Sequence, residues 1–153
     1  MEKLYAVFDL GHESFGICIS EIDNIIKMQP IIPLPHAPVF IEGITNLRGR
    51  VLPVMDLRKR FGLATQPGSP SNRIIVARLG GVDLGMLVDG VSEVLTIPDE
   101  WIEPPRPAGL AGANGLIGMA KISERTVTLL DLGKFLTAKE RSGLLNLQKV
   151  IEA

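Results

Sequence analysis

The chain has 153 residues, 46% of them hydrophobic and 22% charged, with a formal net charge of −1 and a pI near 6.1. This composition fits a globular domain that buries a core without disulfides or metal, and it excludes a global electrostatic pull toward nucleic acid or anionic lipid. No stretch reaches the ~18 apolar residues of a membrane span, and Met1-Glu2-Lys3-Leu4-Tyr5 lacks the regions of a signal peptide, so a cytoplasmic protein with no direct membrane insertion is expected.

From the N-terminus, short apolar runs alternate with turn residues, a spacing that favours β-strands over helices. The first two runs are joined through Gly11-His12-Glu13. The single Cys18 lies inside the second, Phe15 to Ile19, and reads as a buried thiol in a reducing compartment. Pro30 to Pro38 holds four prolines in nine residues, which forbids a helix and predicts an extended connector.

Residues 44–57 read as two short strands joined at Arg48-Gly49, followed by Asp56 and a basic helical turn, Arg58-Lys59-Arg60-Phe61. A type I turn with a bulge needs a residue of positive φ, which Gly49 supplies, leaving Arg48 at the hairpin tip. Pro53 cannot donate to a ladder and predicts that its strand lies at a sheet margin.

An internal repeat organises the rest of the chain. A shift of 69 positions lays Tyr5–Met28 on Ile74–Ile97, matching Val7 with Val76, Gly11 with Gly80, Gly16 with Gly85 and Ile22 with Val91. A shift of 75 lays Gly43 on Gly118, Arg50 on Arg125, Asp56 on Asp131 and Leu57 on Leu132. Two copies of one unit are expected, each of about five strands and a helical turn, with Gly80-Gly81 closing the first hairpin of the second copy. Val88 to Leu95 carries helical spacing, but its β-branched content and the flanking Gly85 and Gly90 predict strands. The expected fold is therefore mainly β, with subdomains at about 1–66 and 72–136 packed through a shared hydrophobic layer and a groove at its mouth.

Connectors are expected at 66–72 and at 103–115, the most loop-like stretch of the chain. Thr137-Ala138-Lys139-Glu140 has capping-box spacing and predicts a helix from about 138 to 152, with Leu144, Leu147 and Ile151 on one face and Leu145 widening it.

Candidate chemistry is sparse. Asp56 and Asp131 read either as paired carboxylates for acid/base work or as helix caps, and their duplication with the scaffold favours caps. His12 and His36 have no ligand-type neighbours at metal spacing, no Gly-rich phosphate loop is present, and no nucleophile, base and orienter assemble. No catalytic residue, metal or cofactor is expected. The cations Arg48, Arg50, Arg58, Lys59 and Arg60 could mark a small-barrel nucleic-acid footprint, but stacking aromatics are few and most lie in apolar strand patterns, so nucleic acid is not an expected partner. Arg58 to Arg60 read instead as a solvated helix face balanced by acids. Arg48 differs, because the second copy has Ser123-Glu124 in place of Arg48-Gly49.

The string from Gly43 to Arg58, Gly-Ile-Thr-Asn-Leu-Arg-Gly-Arg-Val-Leu-Pro-Val-Met-Asp-Leu-Arg, closely resembles the signature of CheW-type coupling domains, bacterial chemotaxis adaptors. The resemblance implies two SH3-like five-stranded β-barrels around a common apolar layer, and a non-enzymatic scaffold. It implies that the first barrel meets the regulatory domain of a CheA-like histidine kinase, and that a groove between barrels receives the cytoplasmic tip of a methyl-accepting chemoreceptor. By the resemblance Arg48, with Asn46 beside it, would lie at the receptor-facing or interface-ordering site, Ile22 and Ile25 would help line the apolar surface, and Asn24 would be a further partner-binding residue. The family's acidic residue in a Val-x-Glu-Ile/Val pattern is replaced by Asn24 in the first copy and kept as Glu93 in the second. That replacement keeps open a CheW-like scaffold in a pathway other than chemotaxis.

Overall fold

A computed structural model describes residues 1–63, 68–79, 81–104 and 115–152. The expected loop at 103–115, part of the 66–72 linker, Gly80 and the side chain of Ile151 fall wholly or largely outside the described residues. In chain order the strands are β1 (Glu2–Leu10), β2 (Glu13–Cys18), β3 (Ile22–Lys27), β4 (Ile41–Leu47) and β5 (Arg50–Asp56), then the turn of helix α1 (Leu57–Arg60). There follow β6 (Arg73–Leu79), β7 (Val82–Val88), β8 (Gly90–Pro98), β9 (Ile102–Glu103), β10 (Leu116–Ile122) and β11 (Arg125–Leu130), with α2 (Leu132–Phe135) and α3 (Ala138–Glu152) last.

The strands form two sheets, ordered β8-β1-β2-β11-β10-β9 and β3-β6-β7-β5-β4. In the first, β8 runs into β9 through a single 3-10 turn at Asp99–Trp101, so one bent strand borders both edges and closes a five-stranded barrel. In the second, an isolated bridge between Ile32 and Ile44 brings the chain after β3 against β4 and closes the other. The expected pair of SH3-like barrels is present.

The halves of the chain do not coincide with the barrels. Residues 1–66 and 72–136 each contribute to both sheets, because the first hairpin of each repeat is exchanged. β1–β2 pairs with β8 and β11, and β6–β7 pairs with β3 and β5. The barrel of β3–β5 with β6–β7 is called here the Arg48 barrel, and the other the Glu93 barrel. A strand cannot tell its own copy from the equivalent edge of the other by local pattern, so the exchange is invisible to periodicity.

The exchange obeys the repeat closely. Bulges fall between Ile22 and Asn24 in the β3–β6 pair, and between Val91 and Glu93 where β8 meets β1, positions related by the shift of 69. A Cβ on Gly43 would overlap the carbonyl oxygen of Ile32, and one on Gly118 that of Glu103, so the closing strand approaches both glycines in the same way.

Each barrel holds a small interior cluster: Tyr5, Val7, Val127 and Leu129 in one, and their equivalents Ile74, Val76, Leu52 and Val54 in the other. Between the barrels lies the expected shared layer, in which Phe8, Phe15 and Ile17 meet Ile75, Leu84 and Met86. Phe15 stacks on Phe61 at 5.2 Å between ring centroids, and Phe61 meets Phe135 edge-on at 5.6 Å, carrying the layer out to α2. Leu144 and Leu147 of α3 pack into this layer, whereas Leu145 is exposed and does not widen the buried stripe. Helix α3 starts at the expected capping box: Glu140 N–H donates to Thr137 Oγ1 at 3.1 Å, and Thr137 N–H donates to Glu140 Oε1 at 3.0 Å. Cys18 is half-buried, not sealed in the core, with its Sγ 3.2 Å from Ser20 Oγ. β5 is not a marginal strand: it pairs with β4 on one side and with β7 on the other, and Pro53 is accommodated because the β7 ladder begins only at Val54.

Candidate partner-binding site

The β4–β5 hairpin of the Arg48 barrel ends in a two-residue loop, since Leu47 and Arg50 are cross-strand partners. Both loop residues have positive φ, 53° at Arg48 and 81° at Gly49. This is the pattern of a primed turn rather than the expected type I turn with a bulge, and it suits the right-handed twist of the flanking strands. A non-glycine residue in the left-handed region carries strain of order 1–2 kcal/mol. Asn46 offsets part of it: its Oδ1 accepts the Gly49 N–H at 2.9 Å, bracing the loop from one side. Arg48 is exposed at the tip, and among the described residues no carboxylate pairs with it.

Beside the tip, the outer face of the barrel is apolar. Ile44 lies opposite Pro53 and bridges Ile32, and Val51 lies opposite Asn46. Ile32 is 62% exposed and Val51 41%. The shift of 75 puts Met119, Thr126 and Thr128 of the Glu93 barrel at the positions of Ile44, Val51 and Pro53, with Glu103 beside Met119 where Ile32 stands beside Ile44. That face is more polar. Sequence reasoning singled out Asn46 and Arg48 but missed Ile32, because a lone Ile in a proline-rich connector carries no strand pattern.

Ile22 and Ile25 of β3 are half-buried at the margin of the interbarrel layer, as is Val91, the equivalent of Ile22. Asn24, between them, is partly exposed and turns its Oδ1 back to the Ile25 N–H at 2.9 Å. In the Glu93 barrel, Glu93 forms an ion pair with Arg125. Asn24 cannot do this for Arg50, which turns instead to Asp83 at 3.7 Å. The five candidate residues therefore fall in two places, Asn46 and Arg48 at the tip, and Ile22, Asn24 and Ile25 at the layer's margin.

Of the expected solvated face balanced by acids, the acids are present, but only Lys59 of Arg58, Lys59 and Arg60 is exposed. Arg58 is 4% exposed and lies 3.5 Å from Asp56 and 3.1 Å from Asp89. Arg60 is partly buried, bonded to Glu140 at 3.0 Å and placed over the Phe135 ring at 5.3 Å, so it fastens α3 to α1. Lys59 pairs with Glu42 at 2.7 Å, and that hydrogen bond holds its ammonium above the ordinary lysine pKa. Carboxylates thus neutralise most of the cluster internally, which removes the argument for a phosphate-binding patch.

Asp56 and Asp131 cap α1 and α2, accepting the N–H groups of Arg58 and Gly133, each at 2.9 Å. Their duplicated positions serve the helical turns in both copies. Glu21 accepts the Leu132 N–H at 3.0 Å, and its partial burial raises the carboxyl pKa. Among the described residues no group of three His, Cys, Asp or Glu is placed to hold a metal ion, and no helix is long and apolar enough to cross a membrane. A groove of about 870 Å³ opens where residues 37–42 face α1 and α3, beside the shared layer, floored by Pro38, Phe40 and Gly143.

A family model for the CheW-like domain matches residues 4–140. The chain is 34% identical over 146 residues to the chemotaxis protein CheW of Klebsiella aerogenes, covering 95% of this chain and 88% of that protein. It is 31% identical over 144 residues to the protein FrzA of Myxococcus xanthus, covering 92% and 90%. Among solved structures, the scaffolding protein TtCheW of Thermoanaerobacter tengcongensis superposes with a TM-score of 0.78 at 37% identity over 86% of each chain. With the domain matched almost end to end and the duplicated barrels in place, this chain belongs to the CheW-like family.

Proposed function

We propose that this chain is a non-enzymatic cytoplasmic adaptor that couples chemoreceptors to a two-component histidine kinase in bacterial chemotaxis. The observation that carries the reading is the outer face of the Arg48 barrel. An apolar strip in which Ile32 and Val51 are exposed and Ile44 is half-buried, beside a guanidinium that no carboxylate pairs with among the described residues, is the anatomy of a protein-binding patch, with an aliphatic centre and a polar rim. Relatives named as chemotaxis and scaffolding proteins support it. In this reading the strip and Arg48 meet the kinase's regulatory domain. The layer margin at Ile22, Asn24 and Ile25 receives the receptor tip.

Calorimetric titration of the kinase regulatory domain and of a receptor hairpin against wild type and Arg48→Glu tests it. Binding of both partners is expected, with that of the kinase regulatory domain weakened by the charge reversal. Binding of neither by the wild type would refute the adaptor role.

A further inference from the structure

The two barrels share a backbone plan but not a charge plan. At the tip end of the Arg48 barrel, Arg50 and Arg78 converge on one carboxylate, with Asp83 lying 3.7 Å from Arg50 Nη1 and 3.1 Å from Arg78 Nε. Both guanidiniums stay open to solvent, with side chains 67% and 57% exposed. Arg48 adds a third cation two residues from Arg50, while Asp23 acts on Arg78 only at longer range. In the Glu93 barrel the equivalent positions carry fewer cations, although Ser14 stands for Asp83 and Ser92 for Asp23. Ser123 stands for Arg48, Asp9 for Arg78 and Glu93 for Asn24, and Glu93 is paired with Arg125, the equivalent of Arg50.

One carboxylate shared by two guanidiniums leaves most of their donors directed at water, available to a second carboxylate with fork geometry. A nucleic-acid backbone would satisfy the charges but not cover Ile32 and Val51, and the chain is only 5% aromatic, too little to stack bases. We propose that Arg48, Arg50 and Arg78 form a clamp for carboxylates on the rim of a partner protein, whose apolar centre covers Ile32 and Val51. The inference rests on the adaptor reading and adds to it the partner's chemistry. It also adds a specificity-determining residue, Arg78, that the first repeat does not encode: the exchanged β6–β7 hairpin delivers it.

The test titrates the kinase regulatory domain and the receptor hairpin with wild type, Arg78→Gln, Arg78→Glu and Arg50→Gln at low and moderate salt. Exposed charges act mainly on encounter and ionic-strength dependence, so Arg78→Glu is expected to weaken binding of the kinase regulatory domain about five- to tenfold and to flatten its salt dependence, leaving the receptor hairpin unaffected. The Gln variants should show a smaller loss, and Lys121→Glu on the Glu93 barrel should show none. Thermal melts check the fold, and Arg78→Gln carries the test should the reversal beside Asp83 unfold the barrel. Wild-type binding of either partner with all Arg50 and Arg78 variants indistinguishable from it overturns the clamp and leaves the adaptor reading standing. Binding of neither partner overturns both. Tight, salt-steep binding of a DNA duplex that competes with the kinase domain overturns the clamp in favour of a phosphate site.

Discussion

Arg58 Nη1 lies 3.1 Å from Asp89 Oδ1, joining the helical turn that closes the first repeat to the residue between β7 and β8 of the second. The guanidinium is almost fully buried and Asp89 partly so, which makes the pair sensitive to loss of either partner. Arg58→Ala is expected to destabilise the protein by about 3 kcal/mol, read from urea unfolding. In a double-mutant cycle with Asp89→Ala, the double variant should lose less than the two single losses added together. Simple additivity would show that the pair carries no coupling.

Gly43 and Gly118 should respond alike to a single methyl group. In Gly43→Ala and Gly118→Ala the new Cβ meets backbone, the Ile32 and Glu103 carbonyls, so the closing strand must move. Each is expected to cost about 2–3 kcal/mol. Gly49→Ala faces open space but keeps φ near 81°, and should cost about 1 kcal/mol. Thermal denaturation of the three variants checks the ranking.

The capping box of α3 predicts a local effect. Thr137→Ala leaves the Glu140 N–H without its side-chain acceptor and is expected to cost about 1 kcal/mol. Faster amide exchange should be confined to the first turn of α3, and exchange rising equally throughout the barrels would contradict this.

Glu21 sets a pH dependence. Burial is the largest influence on its carboxyl and raises the pKa, opposed by the Leu132 N–H hydrogen bond. A folded-state pKa above the unfolded value means that the native state binds the proton more tightly. The group's favourable contribution is complete below the ordinary glutamate pKa and is lost as pH rises through the raised value. Glu21→Gln keeps an acceptor for Leu132 and has no charge to desolvate. It should be more stable than wild type at pH 7, with the difference closing as pH falls through the glutamate range. Urea midpoints from pH 3.5 to 7.5 measure this, and a difference that widens toward acid would be the wrong sign.

Hairpin exchange predicts the behaviour of fragments. A chain cut after Gly68 yields two pieces, each lacking strands needed to close either barrel. Each alone should show little native β signal by circular dichroism, and a 1:1 mixture should regain it. Independent folding of either piece would contradict the exchange.

The elements of this fold were largely legible in the sequence, because their causes are local. The repeat, the strand runs, the Thr137–Glu140 box and the Asp56 and Asp131 caps depend on residues a few positions apart, and each is present in the structure. What was not legible depends on residues far apart. Arg58 reads as a surface cation until Asp89, 31 positions away, is brought against it. Pro53 reads as an edge residue until β7 of the other repeat pairs beside it. Ile32 became recognisable as part of a surface strip only through its bridge to Ile44. At the candidate site, the turn position of Arg48 followed from Gly49, but the convergence of Arg78 on Asp83 needed the exchanged hairpin to be in place.

The interlocked hairpins also have a mechanical meaning. Neither barrel can leave its neighbour without pulling on chain that threads into the other, so the two lattices of backbone bonds are tied together by the covalent chain as well as by the shared apolar layer. Residues at the two outward extremities lie outside those lattices and are free to differ, as the Arg48 and Ser123 tips do.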